Sequence, residues 1–165
     1  MRLTSDFYKQ SAVRLAPLLL GKLLCRKIGG NIIRLAITET EAYAGESDTA
    51  CHAHKGRTSR TAVMYETGGI AYIYLCYGIH YLLNVVAGDI DEPEAVLIRS
   101  VGGITGPGRL TKALQIDKSL NRESFINSGE LWLEEGAQLP YTTGPRVGIN
   151  YASEEDRLRP WRFMA

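Results

Sequence analysis

Glu39 and Glu41 stand two residues apart near the end of an apolar segment. Side chains alternate along a strand, and residues 31–43 follow a period of two. One face of such a strand carries Ile33, Leu35, Ile37, Glu39, Glu41 and Tyr43. A carboxylate on an apolar face is costly unless it has a partner or a function. Two interpretations stay open: an inward-facing catalytic carboxylate, or the end of an edge strand that emerges into water.

A second group of reactive side chains consists of Cys51, His52 and His54. These are residue types that bind zinc, but a closed zinc site needs about four ligands at recognisable spacings. The chain contains no second ligand pair. We therefore predict no metal and no cofactor.

Large side chains occupy a position where a hairpin should turn. Two β-rich runs, 70–76 and 81–86, are joined by Tyr77, Gly78, Ile79 and His80. Hairpin turns favour small and polar residues, so the aromatic and apolar groups here would project into water. An exposed aromatic side chain at a hairpin tip suggests that it enters another molecule.

Basic residues are concentrated in three short segments, although the formal net charge is only +1. The segments contain Lys55, Arg57 and Arg60, then Arg109 and Lys112, then Arg157, Arg159 and Arg162. Each segment alone is typical of a solvated surface. Gly106-Pro107-Gly108 precedes Arg109 without the full phosphate-loop spacing, yet backbone amides that open a helix there could meet a DNA phosphate.

A small number of elements must position these residues. In chain order the pattern predicts a helix over residues 11–24, a strand over 31–43, a surface loop over 44–61, a hairpin over 70–86, a strand over 95–99, a short helix from 106 to 114 and a strand over 131–134. Hairpins with peripheral helices favour a mixed α/β (α+β) fold. We predict a single domain over residues 1–165, with a largely antiparallel sheet and a protruding β-hairpin.

Composition excludes two classes of protein. Hydrophobic residues make up 45% of the chain and charged residues 22%, which fits neither a disordered nor a membrane protein. Three cysteines without a CxxC pair suit a reducing compartment, and the first residues lack the layout of a signal peptide. We predict an intracellular, cytoplasmic protein that does not bind a membrane.

Blocks of sequence spread over nearly the whole chain resemble the alkyladenine (3-methyladenine) DNA glycosylase family of mammalian-type purine glycosylases. The blocks are Thr38–Tyr43, the loop to His52, Tyr72–Gly78, Asn84, Val96–Arg99, Gly106–Leu114, Asp117–Ser119, Pro145–Gly148 and Arg162–Phe163. Because they follow in order, together they are more specific than any single motif.

The resemblance implies a monomeric, monofunctional glycosylase that needs no metal and acts on double-stranded DNA containing damaged purines. By position, Glu41 resembles the general base, and Arg99 with the backbone carbonyl of Val147 resembles the groups that hold the attacking water. Tyr43, His52 and Tyr74 resemble the residues that form the base pocket in the family, and Asn84 resembles the side chain that discriminates against guanine. Tyr77 resembles the wedge that replaces the flipped nucleotide, and the other expected DNA contacts are Ile79, Arg57, Arg60, Arg109 and Lys112.

The chain departs from the family pattern in two places. The connection over residues 100–105 is shorter than usual, and residues 58–61 lack a proline often found there. Two other functions also remain open. A nucleic-acid-binding module would not need Glu41, and a hydrolase of free nucleosides would not need the bulky hairpin tip.

Overall fold

An antiparallel sheet of nine strands forms the centre of the protein, and a computed structural model describes all of residues 1–165. The strands are β1 (Leu23–Ile28), β2 (Asn31–Tyr43), β3 (Ala71–Cys76), β4 (His80–Ala87), β5 (Glu94–Val101), β6 (Ile104–Thr105), β7 (Leu131–Glu134), β8 (Thr142–Gly144) and β9 (Arg162–Met164). The helices are α1 (Ser5–Tyr8), α2 (Ala12–Leu18), α3 (Pro107–Ala113) and α4 (Glu154–Leu158), and 3-10 turns cover His52–Lys55, Thr61–Tyr65 and Lys118–Leu120. The predicted mixed α/β fold with a largely antiparallel sheet is confirmed.

Strand β2 is the longest strand and joins the two halves of the sheet, whose order is β3-β4-β5-β2-β1-β7. Along one side it pairs with β5, and along the other it pairs first with β1 and then with β9. Glu41 lies opposite Leu97 of β5 and opposite Arg162 of β9. The two carboxylates therefore have a strand on each side, and the edge-strand interpretation is wrong.

A β-bulge in β2 separates its apolar part from its acidic part. The pairing with β5 shifts register on both sides of Glu39. As a result Ile37 and Thr40, three residues apart, both face the core, where the Thr40 hydroxyl donates to the Ala16 carbonyl at 2.9 Å. Glu39 and Glu41 face the opposite side. The prediction of one continuous face along the whole strand is wrong, because a bulge adds a residue and interrupts the alternation.

The helix predicted over residues 11–24 is shorter than expected. Ser11 caps α2 as predicted, and its hydroxyl accepts from the Arg14 N–H. The helix ends at Leu18, and the following leucines lead into β1. Gly21 turns the chain with a φ of +85°, and a β-carbon there would lie 1.7 Å from the Ala137 carbonyl oxygen. A run of leucines fits a helix and a buried strand equally well, so the pattern could not locate this turn.

The loop predicted over residues 44–61 is exposed only in part. Residues 54–60 are mostly exposed, but Asp48, Cys51 and Ala53 are buried. The buried side chains pack with the turn Thr61–Tyr65 and with β3 in a second apolar cluster. This packing fixes the loop on the sheet.

The hairpin and the strands that follow it agree with the sequence prediction. β3 and β4 pair from Ala71 opposite Val85 to Cys76 opposite His80. The short connection after β5 is a tight turn in which β6 folds back, so that Ile104 lies opposite Val101. β7 has the predicted bounds.

The sheet has one covered face and one open face. Helices α2 and α3 contribute buried apolar residues to the main core, which also contains Ala42, Val96 and Ile98. Their neighbours along the same strands, including Glu41, Leu97 and Arg99, point to the other face. The open face is therefore where a ligand site can form.

No helix has the length and apolar character needed to cross a membrane.

Replacement of Tyr8 by Phe tests the packing of the core. The Tyr8 side chain is fully buried against Phe125, and its hydroxyl has no hydrogen-bond partner. Tyr8→Phe keeps the ring contacts and removes a buried unpaired group, so we expect urea unfolding to show unchanged or higher stability, by up to about 1 kcal/mol. In the matched control, Tyr65→Phe, the lost hydroxyl donates to Glu46 at 2.6 Å, and we expect a loss of about 1 kcal/mol. A clear loss of stability in Tyr8→Phe would contradict this description of the core.

Candidate active site

A cavity of about 710 Å³ opens on the uncovered face of the sheet. It extends from the β3–β4 hairpin to the segment that follows β8. Six residues predicted from the sequence to form the site line it: Tyr43, His52, Tyr74, Asn84, Arg99 and Val147. The fold thus brings together residues from six elements: β2, the 3-10 turn His52–Lys55, β3, β4, β5 and the segment after β8.

Glu41 is fully buried and does not itself line the cavity, but it lies directly behind three residues that do, Tyr43, Arg99 and Val147. The Tyr43 hydroxyl donates to its Oε1 at 2.9 Å, and the Val147 N–H donates to its Oε2 at 2.6 Å. The Arg99 guanidinium lies 3.6 Å from Oε1. Each carboxylate oxygen therefore has one hydrogen bond from the protein and a nearby positive charge.

The environment of Glu41 favours a base stronger than an ordinary carboxylate. Burial raises the pKa of Glu41, and the Arg99 charge and the two hydrogen bonds only partly oppose that effect. Burial and the adjacent carboxylate also raise the pKa of Tyr43, so its phenol stays protonated and remains a donor. A carboxylate with a raised pKa holds a transferred proton more readily.

Val147 contacts Glu41 through its amide group, whereas the resemblance had implied a role for its carbonyl. The amide N–H is the donor in the shortest hydrogen bond to Glu41. The carbonyl role toward a water molecule stays a prediction.

Arg146 is a functionally placed residue that the sequence analysis missed. Its guanidinium forms a bidentate pair with Asp48, at 2.6 and 3.0 Å, and donates to the Ala42 carbonyl at 2.9 Å. It also stacks on the Tyr43 ring, with 4.9 Å between Cζ and the ring centroid. Arg146 was part of a block quoted for the resemblance, but Asp48 lies 98 residues away and no pattern linked the two.

Aromatic rings form one wall of the cavity. The His52 ring packs edge-on against Tyr74 with 4.5 Å between centroids, and its Nδ1 lies 2.9 Å from the Tyr72 hydroxyl. Tyr72 was also missed as a site residue, although the alternation of β3 places it on the same face as Tyr74. Burial and the charges of Arg60 and Lys55 lower the pKa of His52 to about 4. The imidazole is therefore neutral near pH 7.

Asn84 lies on β4 at the floor of the cavity and is buried. Its amide nitrogen donates to the Tyr72 carbonyl at 3.1 Å. This bond fixes the side chain at the cavity surface.

The residues predicted to contact DNA lie in three places. Tyr77 and Ile79 are 88% and 72% exposed at the hairpin tip, as the sequence indicated. Arg60 and Arg109 lie at the cavity rim. The remaining two basic residues do not line the cavity: Arg57 lies 3.6 Å from Asp91, and Lys112 is exposed on α3.

The three side chains considered for zinc have separate contacts. The Cys51 thiol lies near the Pro93 carbonyl, and His54 contacts the Glu46 carbonyl at 2.7 Å. His52 contacts Tyr72, as described above. No cluster of three or more His, Cys, Asp or Glu side chains could hold a metal ion.

A concave, largely apolar cavity next to a buried carboxylate with a raised pKa has the features of an enzyme active site. A sequence model of the methylpurine-DNA glycosylase family matches residues 6–105 and 102–165. The chain belongs to the methylpurine-DNA glycosylase family. It is thus a DNA N-glycosylase of the base excision repair type, which acts on methylated purines in DNA.

Curated relatives agree with this assignment. A protein of Borreliella burgdorferi is 46% identical to this chain in an alignment of 171 positions, gaps included. The alignment covers 95% of this chain and 92% of the relative. Relatives from Methanocella arvoryzae and Natranaerobius thermophilus are 41% and 40% identical and cover 98% and 99% of this chain, and 90% and 94% of their own lengths. All three carry the words 3-methyladenine DNA glycosylase in their names.

The depressed pKa of His52 has a consequence for stability. In the unfolded chain His52 has its ordinary pKa of 6.5, so between pH 6.5 and about 4 the unfolded state binds more protons than the folded state. Stability attributable to His52 therefore falls as the pH drops through this window. We expect the stability loss between pH 7 and pH 5, measured by urea unfolding, to be about 1 kcal/mol smaller in His52→Gln than in the parent.

His54→Gln is the matched control because His54 is exposed and lies in the same 3-10 turn. The comparison separates the effect of His52 from the effect of replacing any histidine in this turn. The same pH dependence in the parent and in His52→Gln would show that His52 is not held neutral.

Proposed function

We propose that this protein removes alkylated or deaminated purines of the 3-methyladenine, 7-methylguanine and hypoxanthine type from double-stranded DNA. The nucleotide is flipped into the cavity, and a water molecule activated by Glu41 hydrolyses the N-glycosidic bond and leaves an abasic site. The burial of the Glu41 carboxylate directly beneath the cavity carries this proposal.

Glu41 has the hydrogen-bonding capacity that a general base needs. One protein donor occupies each of its two oxygens, and a carboxylate oxygen accepts more than one hydrogen bond. The free acceptor sites can take the proton of the attacking water. The Arg99 guanidinium makes no hydrogen bond to the protein, so its donors are available to orient that water, together with the Val147 carbonyl.

The aromatic walls suit a purine that carries positive charge. A base alkylated at N3 or N7 is cationic, and aromatic faces attract cations. His52 adds no positive charge because its pKa of about 4 keeps it neutral. Tyr43, His52 and Tyr74 therefore contribute no charge of their own that would repel a cationic base, and the base itself is a good leaving group.

The cavity composition favours monofunctional action. Strand cleavage by a glycosylase requires an amine that forms a Schiff base with the sugar. No lysine lines the cavity. Hydrolysis by water is the chemistry that the lining residues support.

Asn84 is placed to select among purines. Guanine differs from hypoxanthine by an amino group at C2, and the Asn84 amide occupies the cavity floor. A misplaced amino group against this amide would lose hydrogen bonds or contact distance, which typically costs about 1–3 kcal/mol. We propose that this penalty rejects unmodified guanine, and that 7-methylguanine is still released because its positive charge makes it a good leaving group.

The exposed hairpin tip supports duplex DNA as the substrate over a free nucleoside. Extraction of a nucleotide leaves a gap in the base stack, and an inserted side chain offsets part of the unstacking energy. Tyr77 is the most exposed aromatic residue of the cavity lining. A hydrolase of free nucleosides would have no use for it, and a binding module would have no use for Glu41.

Glu41→Gln tests the general base. The amide keeps the shape of the side chain but cannot take a proton, so we expect base release to fall at least 10³-fold, roughly the upper range of general-base effects, while damaged-duplex binding is retained. The assay is incubation with a duplex that contains one hypoxanthine or 3-methyladenine, followed by alkali. Strand breakage only after alkali indicates base excision without strand cleavage.

Glu46→Gln is the matched control, since Glu46 also accepts a tyrosine hydroxyl but lies outside the cavity. Its turnover should equal that of the parent. Turnover by Glu41→Gln close to the parental rate would disprove the assignment, and Glu39 would then be the next candidate for the base.

Tyr77→Ala tests the wedge. A single strand has less stacking to replace, so the variant should lose more excision activity on duplex than on single-stranded substrate, by about tenfold or more. Ile90→Ala removes an exposed apolar side chain outside the cavity and should affect excision from neither substrate. Equal losses on both substrates would mean that Tyr77 serves the hairpin and not the DNA.

A further inference from the structure

Arg99 is held between two carboxylates without a hydrogen bond to either. Its Nε lies 3.5 Å from Glu39 Oε2, and its Nη1 lies 3.6 Å from Glu41 Oε1. The side chain is only 14% exposed, and the Nε is buried without a partner. A buried guanidinium with unused donors is unusual and is maintained by its surroundings.

Glu39 is the more firmly held of the two carboxylates. Arg162 Nε donates to its Oε2 at 2.5 Å, and the Ser100 hydroxyl donates to its Oε1 at 2.9 Å. Burial alone would raise the pKa of Glu39, but these hydrogen bonds and the Arg162 and Arg99 charges together lower it. Glu39 therefore carries its negative charge at neutral pH.

Two features of the sheet create this arrangement. The bulge in β2 turns Glu39 away from the core face that Ile37 occupies, so that Glu39 shares the side of Glu41 and the two carboxylates flank Arg99. The pairing of β9 with the end of β2 brings Arg162 to Glu39.

We infer that Glu39 is a positioning residue, and that Glu39 and Arg162 together set how much of the Arg99 charge acts on Glu41. Glu39 attracts Arg99 away from Glu41, and Arg162 neutralises part of that attraction. Both effects act through charge, since no hydrogen bond fixes Arg99 on either side. The inference rests on the proposed role of Glu41 as the general base.

The other groups that face Glu41 cannot adjust the charge that acts on it in this way. Tyr43 and the Val147 N–H are neutral donors. Arg146 is charged, but Asp48 neutralises it in a bidentate pair. Arg99 is thus the cation beside Glu41 whose position can still be adjusted.

Two variants should change the acidity of Glu41 in opposite directions. Glu39→Gln removes the negative charge that competes with Glu41 for Arg99. The attraction between Arg99 and Glu41 then increases, so the pKa of Glu41 should fall by about one unit. Arg162→Gln removes a positive charge and lets Glu39 attract Arg99, so the pKa of Glu41 should rise by a similar amount. General disruption of the fold would not produce opposite shifts.

The measurement combines two readouts. Carboxyl ¹³C NMR titration follows Glu41 directly in the folded proteins, with Glu41→Gln used to assign the signal. Single-turnover excision from a hypoxanthine duplex at a series of pH values gives the acid limb of the rate profile. Glu134→Gln is the control, because Glu134 also accepts from an arginine in this sheet but lies outside the cavity.

Opposite shifts of the Glu41 titration in the two variants, with none in the control, would support the inference. In Glu39→Gln the plateau rate should fall no more than about tenfold. Superimposable titrations of all variants and the parent would overturn the inference, as would loss of turnover in Glu39→Gln equal to that in Glu41→Gln. If the parent releases no base, the proposed function fails, and the NMR titration alone decides the coupling between Glu39 and Glu41.

Discussion

The buried ion pair between Arg146 and Asp48 is the interaction on which the arrangement of the site depends. Both side chains are almost completely excluded from water. Such charges are tolerated where hydrogen bonds compensate them: Arg146 also donates to the carbonyls of Ala42 and Asp156, and only its Nε is left without a partner. The pair therefore joins the end of β2, the loop after it and α4. Loss of one partner from a buried pair typically costs about 3–5 kcal/mol, so the site and the fold are stabilised together at this point.

The two buried arginines near Glu41 differ in how their donors are used. Arg146 directs its guanidinium at Asp48 and at backbone carbonyls, and this fixes the neighbouring Tyr43 ring and the Val147 amide in place. The Arg99 guanidinium forms no hydrogen bond, and the residue lines the cavity. One arginine is thus committed to structure, while the other keeps its donors free for a ligand. Fixed surroundings around free donors are the arrangement that electrostatic catalysis requires.

The sequence predicted those parts of the molecule that depend on local pattern. Strand alternation and turn chemistry located the hairpin and its exposed Tyr77, and family resemblance selected the residues that now line one cavity. Features that depend on distant contacts were missed. The bulge around Glu39 arises from pairing with β5, and the burial of Asp48 arises from Arg146, 98 residues away. The local sequence pattern does not show which distant residues come into contact, so neither feature could be predicted from it.

The hairpin tip differs from the rest of the site in that the fold places few demands on it. Tyr77 and Ile79 are largely exposed, and a β-carbon on Gly78 would meet no other atom. Exposed substitutions of this kind usually change stability by less than about 0.5 kcal/mol, apart from the backbone preference at residues 77 and 78, which both have a positive φ. Mutation can therefore alter the exposed tip without disturbing the buried carboxylate. The tip proposed to contact DNA is thus free to vary independently of the buried residues proposed for hydrolysis.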